Sequence, residues 1–282
     1  MDMLCYAIFA CYTVSRGGDI VAYKIKVTIM NTEPPVWRRL RIPGSITFSQ
    51  LHRIIQVAFG WLDYHLFRFE FEDAIVVEGD PDFPVSEIYP GKRFFEPDET
   101  LVNELLSEGG NCIYIYDFGD HWQHKIVIEK SLKESKRNAV PLCLGGAMHR
   151  PPEDVGGIAG YGHFLEVISD RNDPERQEFL AWAEKDTKGR LFDPEYFWAN
   201  EVNEKLRYVL EDTPEAAKDL LLAPGGLVGL LKFGWTEPYI DVKGKRYTWE
   251  RIGNLLYYLD EDDIVTLQVL PGKRRKEWGR HM

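Results

Sequence analysis

YIYDFGDHWQHKIVIE, residues 114–129, places two aspartates and two histidines inside eight positions, between two segments in which apolar residues alternate with other types. Alternation with a period of two is typical of β-strands, and a glycine between two such segments indicates a β-hairpin. Gly119-Asp120 are predicted to be the loop residues, because a type II′ turn favours glycine at its first position. The stretch therefore predicts two antiparallel strands joined by a two-residue turn.

The predicted turn fixes the cross-strand register and the faces of the hairpin. It sets three residue pairs: Phe118 with His121, Asp117 with Trp122, and Ile115 with His124. Alternation then places Asp117 and His124 on one face as diagonal neighbours, and the other side chains of that face are apolar. Asp120 and His121 are assigned to the turn.

Two interpretations of the Asp117–His124 pair are open, since a carboxylate on an apolar face is costly unless it is paired. In the first, the two side chains satisfy each other, or nearby backbone, inside the core. In the second, they form a partly open site in which His124 is an acid/base or metal ligand and Asp117 orients it or is a co-ligand.

Asp117-Phe118-Gly119 also matches the magnesium motif of protein kinases. The chain has no glycine-rich nucleotide loop and no His-Arg-Asp loop upstream of it, and the motif lies between two strand patterns. These features exclude the kinase interpretation.

A second candidate motif is PPEDVGG, residues 151–157. Loops of this kind often carry functional residues on a rigid scaffold; alternatively, its two carboxylates accept backbone N–H groups and stabilise the glycine turn. Four side chains of the two motifs are candidate catalytic residues and metal ligands: Asp117, His124, Glu153 and Asp154. Such ligands suit a divalent cation that activates water, and no organic cofactor is predicted.

Strand patterns also precede the hairpin. Residues 23–29 and 36–42 alternate in polarity on either side of a turn, and residues 66–71 form a third predicted strand. Residues 78–100 are predicted to be a long loop. Residues 131–163, which are rich in glycine, are predicted to be mostly irregular.

The clearest predicted helix covers Leu51 to Phe59, whose apolar residues recur at helical spacing. Thr47 and Gln50 match a capping box before it, and Gly60 is suited to end it. His52 lies off the apolar face and is predicted to be a surface residue.

Three further helix starts are predicted where an aspartate or threonine precedes Pro-Glu, at Asp173, Asp193 and Thr213. Residues 239–249 then predict a hairpin around Lys-Gly-Lys, followed by a helix and by a closing strand at 265–269.

This order of elements predicts an α+β fold rather than a doubly wound sheet. We expect a largely antiparallel sheet with helices packed on one face, a β-grasp-like opening half and a small C-terminal hairpin, helix and strand unit. Four segments are predicted: an N-terminal extension (1–20), the α+β domain (21–211), a helical and β-hairpin appendage (212–272) and a basic tail (273–282).

Composition narrows the function classes. Acidic residues outnumber basic ones by 45 to 34, giving a net charge of −11. This charge argues against a general nucleic-acid coat, because phosphate binding needs clustered positive charge.

The four cysteines include no Cys-x-x-Cys pair, which favours reduced thiols and a cytoplasmic location. The apolar stretch 4–14 is too short to span a bilayer, so no membrane partner is predicted.

Five motifs in a fixed order resemble the pRiA-type plasmid ORF-3-like family: PPVWRR (34–39), FGW (59–61), YDFGDHWQH (116–124), PPEDVGG (151–157) and FDP (192–194). The resemblance covers about residues 22–211. It implies a compact α+β domain that occurs in bacterial and archaeal chains and on mobile elements, in a largely uncharacterised family with some recombinase-like labels. Family members often carry cysteines where this chain has Arg150 and Val155, so a thiolate metal site is not expected here. The candidate metal ligands that the resemblance implies are therefore Asp117, Asp120, His124, Glu153 and Asp154.

Two function classes follow. The first is a soluble binding or accessory domain, for which a protein or peptide partner is favoured over nucleic acid. The second is a metal-dependent, hydrolase-like enzyme that uses Asp117 and His124 with Glu153 and Asp154. An accessory role in DNA transactions, with the basic tail as its contact, is a further alternative.

Overall fold

The computed structural model describes residues 20–79, 88–134, 140–187, 189–211, 214–222, 227–233, 238–242 and 245–256. The chain divides into two compact units, Met1–Leu210 and Glu211–Met282, and each is described by itself. The predicted N-terminal extension up to residue 19, the closing strand at 265–269 and the basic tail lie outside the described residues. Within those residues, no helix combines the length and the apolar character needed to cross a membrane.

The first unit is built on an eight-stranded sheet. Its strands are β1 (Ile20–Ile29), β2 (Trp37–Pro43), β3 (Phe67–Glu70), β4 (Ala74–Val77), β5 (Arg93–Phe95), β6 (Asn111–Tyr116), β7 (Trp122–Glu134) and β8 (Leu142–Ala147). They lie in the order β5-β4-β3-β6-β7-β1-β2-β8. Neighbouring strands are antiparallel, except for the parallel pair β4 and β5. The predicted α+β class with a largely antiparallel sheet is confirmed.

The described helices of this unit are α1 (Phe48–Phe59), α2 (Val102–Leu105), α3 (Gly157–Ser169), α4 (Arg176–Asp186) and α5 (Ala199–Leu206). The capping box of α1 forms as predicted: the Gln50 N–H donates to the Thr47 hydroxyl at 3.2 Å, and the Thr47 N–H donates to the Gln50 side chain at 3.0 Å. Gly60 ends the helix in the left-handed conformation, with φ 83°. Such a cap satisfies helix-end carbonyls that have no partner inside the helix.

The surface position predicted for His52 is wrong. The residue is 5% exposed, and its ring stacks on Phe67 with centroids 3.7 Å apart. Its nitrogens lie 2.7 Å from the Tyr114 hydroxyl and 2.6 Å from Asp63 Oδ1. His52 lies beside the apolar face of α1 and is nevertheless buried, because β3 supplies the Phe67 ring on which it stacks and β6 supplies the Tyr114 hydroxyl as a polar partner.

The predicted register of the hairpin is also wrong, by one residue. Tyr116 pairs with Trp122 and Tyr114 pairs with His124, so residues 117–121 form a longer loop than the predicted two-residue turn. A shift of one residue exchanges the two faces of a strand. Tyr114 and Tyr116, rather than Ile113 and Ile115, therefore share a face with Trp122 and His124.

Residues 131–163 are more regular than predicted. They contain the end of β7, all of β8 and the first half of α3. The predicted helix start at Asp193 is wrong, since α5 begins at Ala199; the Asp193 carboxylate instead accepts the Glu195 N–H at 3.0 Å in a turn. The starts at Asp173 and Thr213 are close to the observed beginnings at Arg176 and Pro214.

Buried Arg38 joins α1 to the segment that precedes the PPEDVGG motif. Its guanidinium donates to the carbonyl of Ala58 at 2.9 Å, and also to the carbonyls of Ala147 and Met148, both at 2.9 Å. The same group lies over the ring of Phe59, 4.8 Å from its centroid. Arg38 therefore fixes the end of α1 against the end of β8.

The second unit has a three-stranded sheet of its own, in the order β11-β10-β9. Its described elements are α6 (Pro214–Leu221), β9 (Leu230–Phe233), β10 (Pro238–Val242), β11 (Lys245–Thr248) and α7 (Trp249–Leu256). The predicted hairpin corresponds to β10 and β11, which pair in antiparallel fashion. A separate cluster of Ala217, Tyr247 and Leu255 forms its core.

Candidate functional site

Three segments of the first unit converge on one polar cluster: residues 61–66 after α1, the hairpin loop 117–121, and the loop 150–156. Hydrogen bonds connect them in pairs. The Asp117 N–H donates to the Leu66 carbonyl at 3.0 Å, the Leu62 N–H donates to Glu153 Oε1 at 2.7 Å, and the Gly156 N–H donates to Asp120 Oδ2 at 3.1 Å. The cluster is therefore held by backbone as well as by side chains.

His65 lies at the centre of this cluster. Its Nε2 atom is 3.4 Å from Asp154 Oδ1, 3.8 Å from Asp117 Oδ2 and 4.0 Å from Glu153 Oε2. The ring is placed by an edge-to-face contact with Tyr116, with centroids 5.7 Å apart. One imidazole nitrogen thus faces three carboxylates that come from two separate loops.

Glu153 has one satisfied and one unsatisfied oxygen. Oε1 accepts the Leu62 N–H and faces the Tyr116 hydroxyl at 3.4 Å. Oε2 is buried, makes no hydrogen bond within the described residues, and points toward His65. Burial raises the pKa of this carboxyl, and the nearby Arg150 guanidinium partly opposes that shift. A buried, unpaired carboxylate oxygen is costly, so its position calls for an explanation.

Arg150 positions the loop that carries these acids. Its guanidinium, which is 1% exposed, donates to the Gly60 carbonyl at 2.8 and 2.9 Å and pairs with Asp186 at 2.8 Å. It also lies 4.7 Å from the centroid of the Trp61 ring. Because Gly60 ends α1 and Asp186 ends α4, this one side chain ties the loop to two helices.

The cluster opens to solvent on the side of Asp154. That side chain is 64% exposed, compared with 24% for His65 and 9% for Asp117. Asp117 and Asp154 both adopt left-handed backbone conformations, with φ of 57° and 53°, which aspartate adopts more readily in turns than most residues with a Cβ atom. A ligand can therefore reach Asp154 and His65 from outside while Glu153 lines the inner wall.

The structure does not bring all the predicted site residues together. His124 is fully buried: its Nδ1 lies 3.0 Å from the Trp122 carbonyl oxygen, and its Nε2 accepts from Trp61 Nε1 at 3.2 Å. Burial lowers the pKa of His124 to about 4. The predicted Asp117–His124 pair is therefore not formed, because both nitrogens of His124 have other partners and Asp117 faces His65 and the Gly119 N–H.

Of the other predicted residues, Asp117, Glu153 and Asp154 lie around His65 Nε2, without the His124 that the enzyme hypothesis placed with them. Asp120 serves a different purpose, since its carboxylate connects the hairpin loop to Gly156. His65 was missed. It lies in the short stretch between α1 and β3, and the one available signal was its place beside the FGW motif that carries the family resemblance.

Residues 21–201 match the sequence profile of a family described as "Plasmid pRiA4b ORF-3-like protein". The chain belongs to this family. A curated relative, "Uncharacterized protein y4hQ" from Sinorhizobium fredii (strain NBRC 101917 / NGR234), is 36% identical over 161 residues, which are 57% of this chain and 79% of the relative.

A solved structure, the "Crystal Structure of Protein of Unknown Function MM3350 from Methanosarcina mazei Go1", is similar to this plasmid ORF-3-like chain with a TM-score of 0.55 and 31% identity. The similarity covers 64% of this chain and 96% of that one. The predicted resemblance is confirmed, and neither relative's description names an activity. The function of this plasmid ORF-3-like chain therefore has to be argued from its own site.

Three residues of the cluster in this plasmid ORF-3-like domain offer ligand atoms that could hold a divalent cation. Single ligand atoms of His65, Asp117 and Asp154 all lie within 4.8 Å of one another. A zinc-type cation sits about 2.0–2.2 Å from each nitrogen or oxygen ligand, so neighbouring ligands are expected on the order of 3–4 Å apart. The separations of 3.4 and 3.8 Å around His65 Nε2 fall in this range.

Proposed function

We propose that the plasmid ORF-3-like domain of this chain binds a divalent cation through His65, Asp117 and Asp154, and that this cation activates a water molecule for a hydrolytic reaction. The convergence of three carboxylates on His65 Nε2 supports the proposal most strongly. Three protein ligands with one side open to solvent are characteristic of catalytic rather than structural metal sites.

Glu153 is the proposed general base. Its unpaired Oε2 faces the same space as the three ligands, and its raised pKa brings it closer to the range in which a carboxylate exchanges protons at neutral pH. In this arrangement Leu62 and Tyr116 hold one oxygen in place, and the other would be free to accept a proton from a water bound to such a cation.

The first prediction concerns cation binding. Calorimetric titration of the wild-type chain with Mn²⁺, Zn²⁺ and Mg²⁺ should show saturable binding of at least one of them, with one cation per chain. His65→Ala removes a ligand and Asp117→Asn removes the charge of one, so each should weaken that binding by roughly tenfold or more. His163→Ala, an exposed histidine of α3 outside the site, is the matched control and should bind like wild type.

Absence of saturable binding for all three cations in a folded wild-type chain would overturn the proposal. His65 would then act as a partner of the carboxylates in folding alone, and His65→Ala would lower the melting temperature without any effect of added metal. Circular dichroism of every variant separates loss of a ligand from loss of the fold.

The second prediction separates the base from the ligands. Glu153→Gln keeps the size of the side chain and removes its basicity, so the variant should retain cation affinity within about threefold. Hydrolysis of a panel of 4-nitrophenyl esters and phosphates in the presence of the bound cation should fall by roughly a hundredfold or more. Equal loss of cation binding would make Glu153 a fourth ligand and contradict its assignment as the base.

A further inference from the structure

A surface groove of about 280 Å³ lies beside the cation site and shares Asp154 with it. The groove runs between the loop 150–156 and α4. It is lined by Asp154, Val155, Glu178, Phe179 and Trp182, and we refer to these five residues as the acidic aromatic groove. A volume just below the usual range of about 300–1,000 Å³ for small-molecule pockets suits a single side chain better than an extended cofactor.

The aromatic wall of the groove is held in place from below. Phe179 and Trp182 both pack on buried Phe164, with ring centroids 6.0 Å away in each case. Phe179 has a further edge-to-face contact with His163 at 5.7 Å. Trp182 remains 36% exposed, so part of its ring is available to a ligand without any change in the core.

The charges of the groove select the type of ligand. Two of its five lining residues, Asp154 and Glu178, are exposed acids, and none of the five is basic. A cation placed over an aromatic face is attracted by the ring, and guanidinium groups stack on such faces and pair with carboxylates at the same time. An anionic or purely apolar ligand would gain nothing from the two carboxylates.

The interior of the same domain already contains this combination. The Arg150 guanidinium lies 4.7 Å from the centroid of the Trp61 ring and pairs with the Asp186 carboxylate at 2.8 Å. A tryptophan ring with a carboxylate beside it thus holds an arginine within this fold. In the acidic aromatic groove the ring and the carboxylates face solvent, where the arginine would have to come from another molecule.

We propose that the acidic aromatic groove binds an arginine side chain of a peptide or protein partner, with the guanidinium over Trp182 and paired to Glu178 and Asp154. This inference goes beyond the proposed cation chemistry, and it does not require a bound metal. It gives the first unit a partner of defined chemistry next to the cation site.

The test follows the indole N–H resonance of Trp182 in ¹⁵N-labelled full-length chain, assigned by its loss in Trp182→Phe. A Gly-Arg-Gly peptide with blocked ends is titrated in EDTA, and the same peptide with citrulline in place of arginine is the neutral control. The arginine peptide should shift the resonance saturably. The citrulline peptide should bind about three to ten times more weakly, because citrulline has the shape of arginine without its charge.

Glu178→Gln should weaken binding of the arginine peptide by a similar factor, since the substitution removes one of the two exposed carboxylates of the groove. Lys185→Gln, an exposed change on the same helix outside the groove, is the control and should leave the affinity unchanged. Equal shifts with arginine and citrulline, or no saturable shift with either, would overturn the proposal. Working in EDTA keeps the outcome separate from that of the cation experiments, because loss of metal binding in His65→Ala leaves this titration unaffected.

Discussion

The histidines of the first unit show how burial decides the chemistry of one residue type. His124 is fully buried among rings, with a carbonyl oxygen beside Nδ1 and the Trp61 N–H donating to Nε2. His65 is partly exposed and faces three carboxylates. Desolvation disfavours the charged imidazolium of His124, whereas the carboxylates around the accessible nitrogen of His65 are of a type that divalent metal cations accept as ligands. His124 is therefore a core residue, and His65 is the histidine with the surroundings of a ligand-binding site.

The third prediction concerns the pH dependence that His124 contributes. Its pKa is lowered to about 4 by burial, below its ordinary value of about 6.5 in an unfolded chain. The unfolded state therefore binds more protons between these two values. The contribution of neutral, buried His124 to the free energy of unfolding is therefore fully present above about pH 6.5, and it is lost as the pH falls toward 4. Urea unfolding should show a contribution of about 2 kcal/mol lost between pH 7 and pH 5.

A matched pair of variants isolates this contribution. His124→Gln removes the titrating ring, so the variant should be less stable than wild type at pH 7 but should lose about 2 kcal/mol less between pH 7 and pH 5. Ile126→Val, on the same strand, should cost about 1 kcal/mol at both pH values. The same pH dependence in wild type and His124→Gln would show that other groups cause the acid destabilisation.

The site residues could be predicted from sequence only in part, for physical reasons that differ between them. Glu153 and Asp154 follow two prolines, and Asp117 interrupts an apolar alternation, so each stands out within its own segment. His65 does not, because its proposed role depends on carboxylates from two loops that are distant in sequence and close in space. The predicted partner of Asp117 was wrong since it depended on turn length, and one residue of register moves a side chain to the opposite face.

At the scale of the elements, α3 connects the PPEDVGG motif to the hairpin loop through two glycines. Gly156 and Gly157 both have positive φ, at 91° and 64°. A Cβ atom on Gly157 would lie 2.7 Å from the carbonyl oxygen of Asp120, which is closer than such contacts occur. Glycine is required at position 157 so that the start of α3 can approach the loop that carries Asp117.

The fourth prediction compares two glycines of α3. Gly157→Ala should destabilise the chain by about 2 kcal/mol or more and weaken cation binding, because it combines a left-handed alanine with a contact that pushes the hairpin loop away. Gly162→Ala has open space around its added Cβ, and should stabilise the chain by roughly 0.5–1 kcal/mol because alanine is the better helix former. Urea unfolding and calorimetry of both variants provide the measurement, and a neutral Gly157→Ala would contradict the close approach.

Among the elements, those with local signals were predicted best. The capping box of α1, its glycine end and the first two strands depend on residues within a few positions of one another. In contrast, β8 contains Leu-Cys-Leu-Gly-Gly-Ala and α3 begins with glycines, so their intrinsic propensities disfavour the structure that they adopt. These elements are stabilised by tertiary contacts instead: β8 pairs with β2, and α3 packs Tyr161 and Phe164 into the core.

At the scale of the whole molecule, each of the two units has a hydrophobic core of its own. The cluster of the first unit reaches from Tyr23 to Val209, with Leu210 packed against it. The cluster of the second unit is formed by Ala217, Tyr247 and Leu255 with partly buried neighbours between positions 220 and 252. Among the described residues, the two clusters have no residue in common.

The fifth prediction follows from this separation. A fragment of residues 1–210, the whole first unit, contains the eight-stranded sheet, α1 to α5 and all the proposed cation ligands, so it should unfold cooperatively in urea and bind the cation with an affinity within about threefold of that of the full chain. Titration of the fragment beside the full chain is the measurement, and the fragment carrying His65→Ala is its control. A fragment that lacks a cooperative transition would show that the first unit needs the second for folding. A folded fragment without cation binding would instead show that residues beyond 210 complete the site, which would remove the basis for assigning the cation chemistry to the plasmid ORF-3-like domain alone.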